Sequence, residues 1–149
     1  METWKEFEAN ELSHSAAHHL LAIYELGEKY GGWARVSDIA RQLGITRGSV
    51  SINLRALKKR GLVLADEHRM VKLSLTGQKI VEDLATKKAT VTEFLATVLG
   101  LPAGQAAIDS CKIEHLISRE TSARLVQLTE FLTTDDALKR FRKFQKNKV

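Results

Sequence analysis

Two short helical patterns split by one glycine and followed by a charged-tipped hairpin constrain this chain more than any other feature. Val36, Ile39, Ala40 and Leu43 recur at helical spacing behind Ser37, a candidate N-cap. Gly44 supplies a turn, Thr46 is a second N-cap, and the next helix is expected to run to about residue 60, where Gly61 stops it. Residues 62–65 and 70–75 then read as two strands, separated by Asp66, Glu67, His68 and Arg69. Helix, turn, helix and hairpin in that order predict a winged helix-turn-helix. In that arrangement the second helix enters the major groove of DNA and the hairpin reaches the backbone.

The charge distribution agrees. From residue 47 to residue 72 the cations Arg47, Arg55, Lys58, Lys59, Arg60, Arg69 and Lys72 meet only Asp66 and Glu67, a net charge equal to the +5 of the whole chain. Thr46, Arg47, Gly48, Ser49 and Ser51, at the start of the recognition helix, are candidates for base edges. Ser49, Ser51, Arg55 and Lys59, with Arg69 on the wing, are better suited to positioning on the DNA backbone. The alternative is a solvated basic helix in a protein-binding winged domain.

Helix dominates elsewhere, and Pro102 is the only proline. A first helix is expected over 13–29, capped by Ser13 and ended by Gly31 and Gly32. Thr76 is the expected cap of a long helix reaching about residue 99. A helix over 103–117, another after Ser118 with Leu125, Leu128 and Leu132, and a basic one beginning at Asp135 complete the chain. The first ten or so residues are expected to be loosely held. The fold class is mainly α, with a winged helix-turn-helix DNA-binding domain over 10–75 and a helical domain over 76–149. Lys139, Arg140, Arg142, Lys143, Lys146 and Lys148 form a basic tail, read as a solvated helix end that complements the dipole.

Several classes are excluded. With 44% apolar and 28% charged residues the chain is not of disordered composition. Cys111 is the only cysteine, so no intrachain disulfide forms, and a reducing, cytoplasmic setting is expected. No apolar run approaches the ~20 residues of a membrane span, and the polar N-terminus is no secretory signal. No glycine-rich phosphate loop appears, so neither an enzyme nor a small organic substrate is expected.

Cys111, Glu114 and His115 form Cys-x-x-Glu-His on a predicted helix, a spacing that puts them on one face. Thiolate, carboxylate and imidazole suit a divalent transition metal. A fourth ligand must come from elsewhere, and His14 and His18 lie one turn apart on the first helix. Against this stand a cysteine serving as a small buried apolar residue, a decayed site on a metal-independent regulator, and a thiol redox sensor at Cys111 activated by His115.

The chain resembles the DtxR/MntR family of metal-dependent transcriptional repressors. The resemblance is carried by Ala22-Ile-Tyr-Glu-Leu26, Ala34-Arg-Val-Ser-Asp-Ile-Ala40, Ser49-Val-Ser51, Leu75-Thr76, Glu93-Phe-Leu95 and Cys111-x-x-Glu114-His115. It departs at Gly77, which precedes the usual glycine position, where Lys79 stands. The family implies a homodimer on a pseudo-palindromic operator, a helical dimerisation lobe, and a divalent metal that favours DNA binding and controls metal-ion homeostasis. The length resembles the short, manganese-type branch without the SH3-like domain. His18 falls at the helix-1 ligand position, usually Asp or Met, and Cys111 at a position that is Cys in iron-type and Glu in manganese-type members. The second carboxylate of the manganese type falls at Leu21, and ligands of an ancillary site fall at Lys88, Thr92 and Ala107. The resemblance therefore implies one ion per subunit on His18, Cys111, Glu114 and His115, with Lys88 replacing a second cation. Mixed ligands favour Fe²⁺, then Zn²⁺, with Mn²⁺ also possible.

Overall fold

The computed structural model describes residues 12–134 and 136–147 of the 149. The expectations for the first ten residues, Asp135 and Lys148 lie outside the described residues. The chain divides into two compact units after Leu84.

In the first unit, α1 (His14–Lys29) starts at Ser13, whose side chain accepts from the Ala16 N–H at 3.2 Å. Such caps contribute about 1 kcal/mol. The chain turns through Gly31 and Gly32, both at positive φ. A two-residue strand, β1 (Ala34–Arg35), follows and was not expected, since two residues carry no alternation to read. α2 (Val36–Leu43) then begins directly, with Arg35 at its N-cap position and no side-chain cap bond. Ser37 is therefore inside the helix and is not its cap, because the strand carries the chain straight into the first turn. Gly44 ends α2 in the left-handed region at φ 66.

α3 (Arg47–Lys59) is capped as expected by Thr46, whose Oγ1 accepts from the Ser49 N–H at 3.1 Å. The wing is β2 (Val63–Ala65) and β3 (Met70–Leu73). The sheet order is β1-β3-β2, all antiparallel, with Ala34 opposite Val71 and Val63 opposite Leu73. Leu20, Ile23, Ala34, Ile39, Val50, Leu57 and Val71 are fully buried and join α1, α2, α3 and the sheet in one core.

α4 (Leu75–Glu93) begins in the first unit and ends in the second. Its cap is Ser74, not Thr76. Ser74 Oγ accepts from the Gly77 N–H at 3.1 Å and donates to the Gly61 carbonyl at 2.7 Å, while the Ser74 N–H donates to the Leu62 carbonyl at 3.0 Å. These bonds tie the helix start to the turn after α3, and Gly77 packs so closely there that a Cβ would collide with the Leu62 carbonyl oxygen.

In the second unit α4 does not continue regularly to residue 99. It widens into a π-helical turn over Phe94–Val98, with the Leu99 N–H donating to the Phe94 carbonyl at 3.2 Å. α5 (Ala103–Ile113) ends four residues earlier than expected, in a turn through Leu116. α6 (Arg119–Thr134) is capped by Ser118, which accepts from the Thr121 N–H at 3.0 Å. α7 (Ala137–Lys146) carries most of the basic tail. That tail is not wholly solvated. Arg142 donates to the Thr97 carbonyl, and Gln145 Nε2 donates to the Leu99 carbonyl at 3.2 Å. Carbonyls left open at the end of the π turn are satisfied by these two side chains. Among the described residues no helix is long and apolar enough to cross a membrane.

Candidate functional site

α3 is built as a two-faced helix. Val50, Leu54 and Leu57 are buried against the first unit's core, and Arg47, Gly48, Ser49, Ser51, Arg55 and Lys59 are exposed on the other side. Thr46 and Ser49 are exposed too, but their hydroxyls lie 2.9 Å apart and serve the helix cap. Ile52 was missed by sequence reasoning. It is 68% exposed on this polar face, and its offset from Val50 and Leu54 is the signal that places it there.

The wing tip is shaped by Asp66. Its carboxylate accepts from the Met70 N–H at 2.8 Å, and its own N–H donates to the Met70 carbonyl at 3.0 Å. Arg69 is exposed, and it takes φ 59, uncommon for a residue with a side chain. Lys72 points elsewhere, with Nζ 4.7 Å from the Trp33 ring centre.

The metal candidates fall in both units. In the first, α1 carries His14, exposed, and His18, half-buried, with ring centres 4.3 Å apart. The next residue, His19, is buried. Its Nδ1 lies 2.7 Å from the Ser15 carbonyl, and its Nε2 has no hydrogen-bond partner among the described residues.

In the second unit Cys111 sits, half-buried, in the last turn of α5. Glu114 is the helix's C-cap residue and keeps right-handed helical dihedrals, while His115 lies in the following turn. The expected common helix therefore holds Cys111 alone, although the backbone stays helical as far as Glu114. The Glu114 side chain is the unusual one. It is 1% exposed, and its Oε2 is buried with no hydrogen-bond donor among the described residues. Burial raises its pKa above the ordinary glutamate value, and the nearby Lys88 ammonium opposes that shift. A buried carboxylate oxygen without a donor is costly unless a cation meets it. A divalent transition ion is a cation of that kind, and carboxylate, thiolate and imidazole are its ligand types.

The positions of the expected ancillary ligands are otherwise engaged. Thr92 Oγ1 donates to Ser110 Oγ at 2.8 Å, and Ser110 Oγ donates to the Ala107 carbonyl at 3.0 Å.

Comparison with known proteins agrees with these two halves. The family described as iron dependent repressor, metal binding and dimerisation domain matches residues 74–139, and the MarR family matches residues 11–69. The HTH-type transcriptional regulator MntR of Bacillus subtilis (strain 168) is 30% identical over 126 residues, 85% of this chain and 87% of that protein. The manganese regulator SloR is similar in structure, with a TM-score of 0.69 and 25% identity over 78% of this chain and 54% of that one. ScaR with bound Zn²⁺ gives a TM-score of 0.67 at 25% identity, again over 78% and 54%. The chain thus spans about half the length of those two structures but most of the Bacillus relative. A winged helix with a basic outer face, a buried ligand-type carboxylate and a relative matched nearly end to end lead to one assignment: the chain belongs to the DtxR/MntR family of metal-dependent transcriptional repressors.

Proposed function

We propose that this protein is a cytoplasmic, metal-activated repressor of metal-homeostasis genes, and that one divalent ion per subunit is held by His18, Cys111, Glu114 and His115. The observation that carries the reading is the buried Glu114 carboxylate with no donor on Oε2, within the segment matched by the metal-binding family. His14, adjacent to His18, is a reserve ligand.

When bound, the ion supplies positive charge that neutralises the thiolate and carboxylate. The chain's own groups do the rest. His18 belongs to the DNA-binding unit and the other three ligands to the second, so a shared ligand set favours one arrangement of the two over others. It does so only by its differential affinity for that arrangement. Thiolate with two imidazoles favours Fe²⁺ or Zn²⁺ over Mn²⁺, with iron as the first assignment. The Thr92–Ser110–Ala107 chain and the Lys88 charge support one ion rather than two.

The partner on the protein side is a second copy. In the second unit Val91, Val98 and Ala106 are buried, whereas α6 exposes Leu128 and Phe131, the end of α5 exposes Ile113 and the turn after it exposes Leu116. A unit with that balance gains by covering its apolar face. Two recognition helices then meet half-sites of a pseudo-palindrome about 34–36 Å apart.

The test is an anaerobic equilibrium titration of the full chain with Fe²⁺ and, separately, Zn²⁺, beside His18→Ala. One ion per subunit is expected, with affinity lowered at least about 10-fold in the variant. Two ions per subunit, or unchanged affinity in His18→Ala, would contradict the assignment.

A further inference from the structure

The unexpected strand β1 has a consequence for DNA binding. Its register puts Arg35 opposite Met70, at the base of the wing tip. Ala34 is buried, so Arg35, its neighbour on the strand, faces outward and is exposed. There it lines a groove of about 430 Å³ together with Arg47 from the start of α3 and Arg69 and His68 from the wing; Ser37 and Ser51 add hydroxyls. No carboxylate lines this groove. Among the described residues none of its three arginines takes part in an ion pair, and His68 lies 3.6 Å from Glu67.

Three arginines lining one groove that no carboxylate lines make it a site for an anion. A second groove, of about 330 Å³, shares Val36, Ser51 and Arg69 with the first and carries Arg55 and Lys58 beside one acidic residue, Asp66, whose carboxylate accepts from the Met70 N–H. The positive lining therefore continues past a single pocket, which suits a chain of phosphates better than one free ion.

We propose that Arg35, with Arg47 and Arg69, clamps a backbone phosphate of duplex DNA in this groove. The proposal rests on the DNA-binding reading and adds a contact from outside the recognition helix and the wing. It assigns Arg35 to positioning on the backbone, so sequence preference should not depend on it.

The experiment is fluorescence anisotropy with a random-sequence 30-base-pair duplex, using the full chain with saturating Zn²⁺ over a salt series. Wild type is compared with Arg35→Ala, Arg35→Lys and a charge control in the second unit, Arg124→Ala. Arg35→Ala is expected to lower the slope of log K against log salt by about 0.9 and the affinity about tenfold, on duplexes of any sequence. Arg35→Lys keeps the slope, because the charge remains, and Arg124→Ala matches wild type. A slope unchanged in Arg35→Ala while wild type binds overturns the clamp and leaves the DNA reading standing. Absence of duplex binding by wild type overturns both. Inorganic phosphate binding that is lost in Arg35→Ala without any change in the DNA slope would overturn the clamp and show a free-anion site instead. Thermal melting of each variant separates lost contacts from lost folding.

Discussion

Glu114→Gln is expected to leave the chain folded and to remove metal-dependent stabilisation. The substitution keeps the shape of the side chain and deletes the charge. Loss of a partner outside the ligand shell alone lowers metal affinity about 10–100-fold, so loss of this ligand should cost at least about 100-fold. With metal in excess, a 100-fold loss removes about 2.7 kcal/mol of the stabilisation that binding confers. That corresponds to roughly 5–10 °C in Tm for a chain of this size.

The metal-free chain should respond in the opposite direction. Burial holds the Glu114 pKa above the ordinary glutamate value of 4.5 in spite of Lys88. A raised pKa means that the folded state binds the proton more tightly than the unfolded state. The resulting stabilisation is complete below 4.5 and is lost as pH rises through the elevated folded value. Wild type without metal should therefore lose stability across that window, and Glu114→Gln should not. Thermal melts of both proteins with chelator and with Zn²⁺, over a pH series, read both effects. Equal metal stabilisation in the two proteins would remove Glu114 from the ligand set.

Gly77→Ala is expected to be the most destabilising single-methyl change in the DNA-binding unit. The new Cβ would collide with the Leu62 carbonyl oxygen, and both partners are backbone. That carbonyl also accepts from the Ser74 N–H, and Ser74 holds the neighbouring Gly61 carbonyl, so neither segment moves without breaking the cap. Overpacking costs of about 1–3 kcal/mol are usual, and a collision with fixed backbone belongs at or above the upper end. Denaturant melts should show a lower midpoint with an unchanged slope. A midpoint within error of wild type would mean that the start of α4 shifts freely.

The parts of the fold that could be read from the residues are those whose cause is local. Ser13, Thr46 and Ser118 cap helices because a hydroxyl one residue before a helix meets its free N–H groups. The wing showed through two short, largely apolar segments and the charged tip between them. What escaped depends on partners far along the chain. β1 exists because Val71 and Met70 offer an edge to Ala34 and Arg35. Ser74 replaces Thr76 as cap because it also reaches Gly61. Arg142 reads as a solvated tail residue until the Thr97 carbonyl appears beside it.

The candidate site divides in the same way. The Cys-x-x-Glu-His spacing and the clustered charge of α3 were visible as patterns. The isolation of Glu114 Oε2 was not, because it depends on what lies around a side chain rather than on its neighbours in sequence. The outward face of Ile52 could have been read from the Val50, Leu54 and Leu57 period.

The central claim is that metal controls DNA binding. The most direct test is the affinity of the full chain for DNA spanning the upstream region of its own gene, at one fixed salt concentration. Chelator is compared with Fe²⁺, Zn²⁺ and Mn²⁺ added singly without oxygen. The account predicts tightening by at least about tenfold, the lower range of allosteric coupling, with Fe²⁺ or Zn²⁺ ahead of Mn²⁺. Equal affinity under all four conditions would contradict it, leaving a winged-helix DNA binder whose Cys111–His115 cluster plays no part in control.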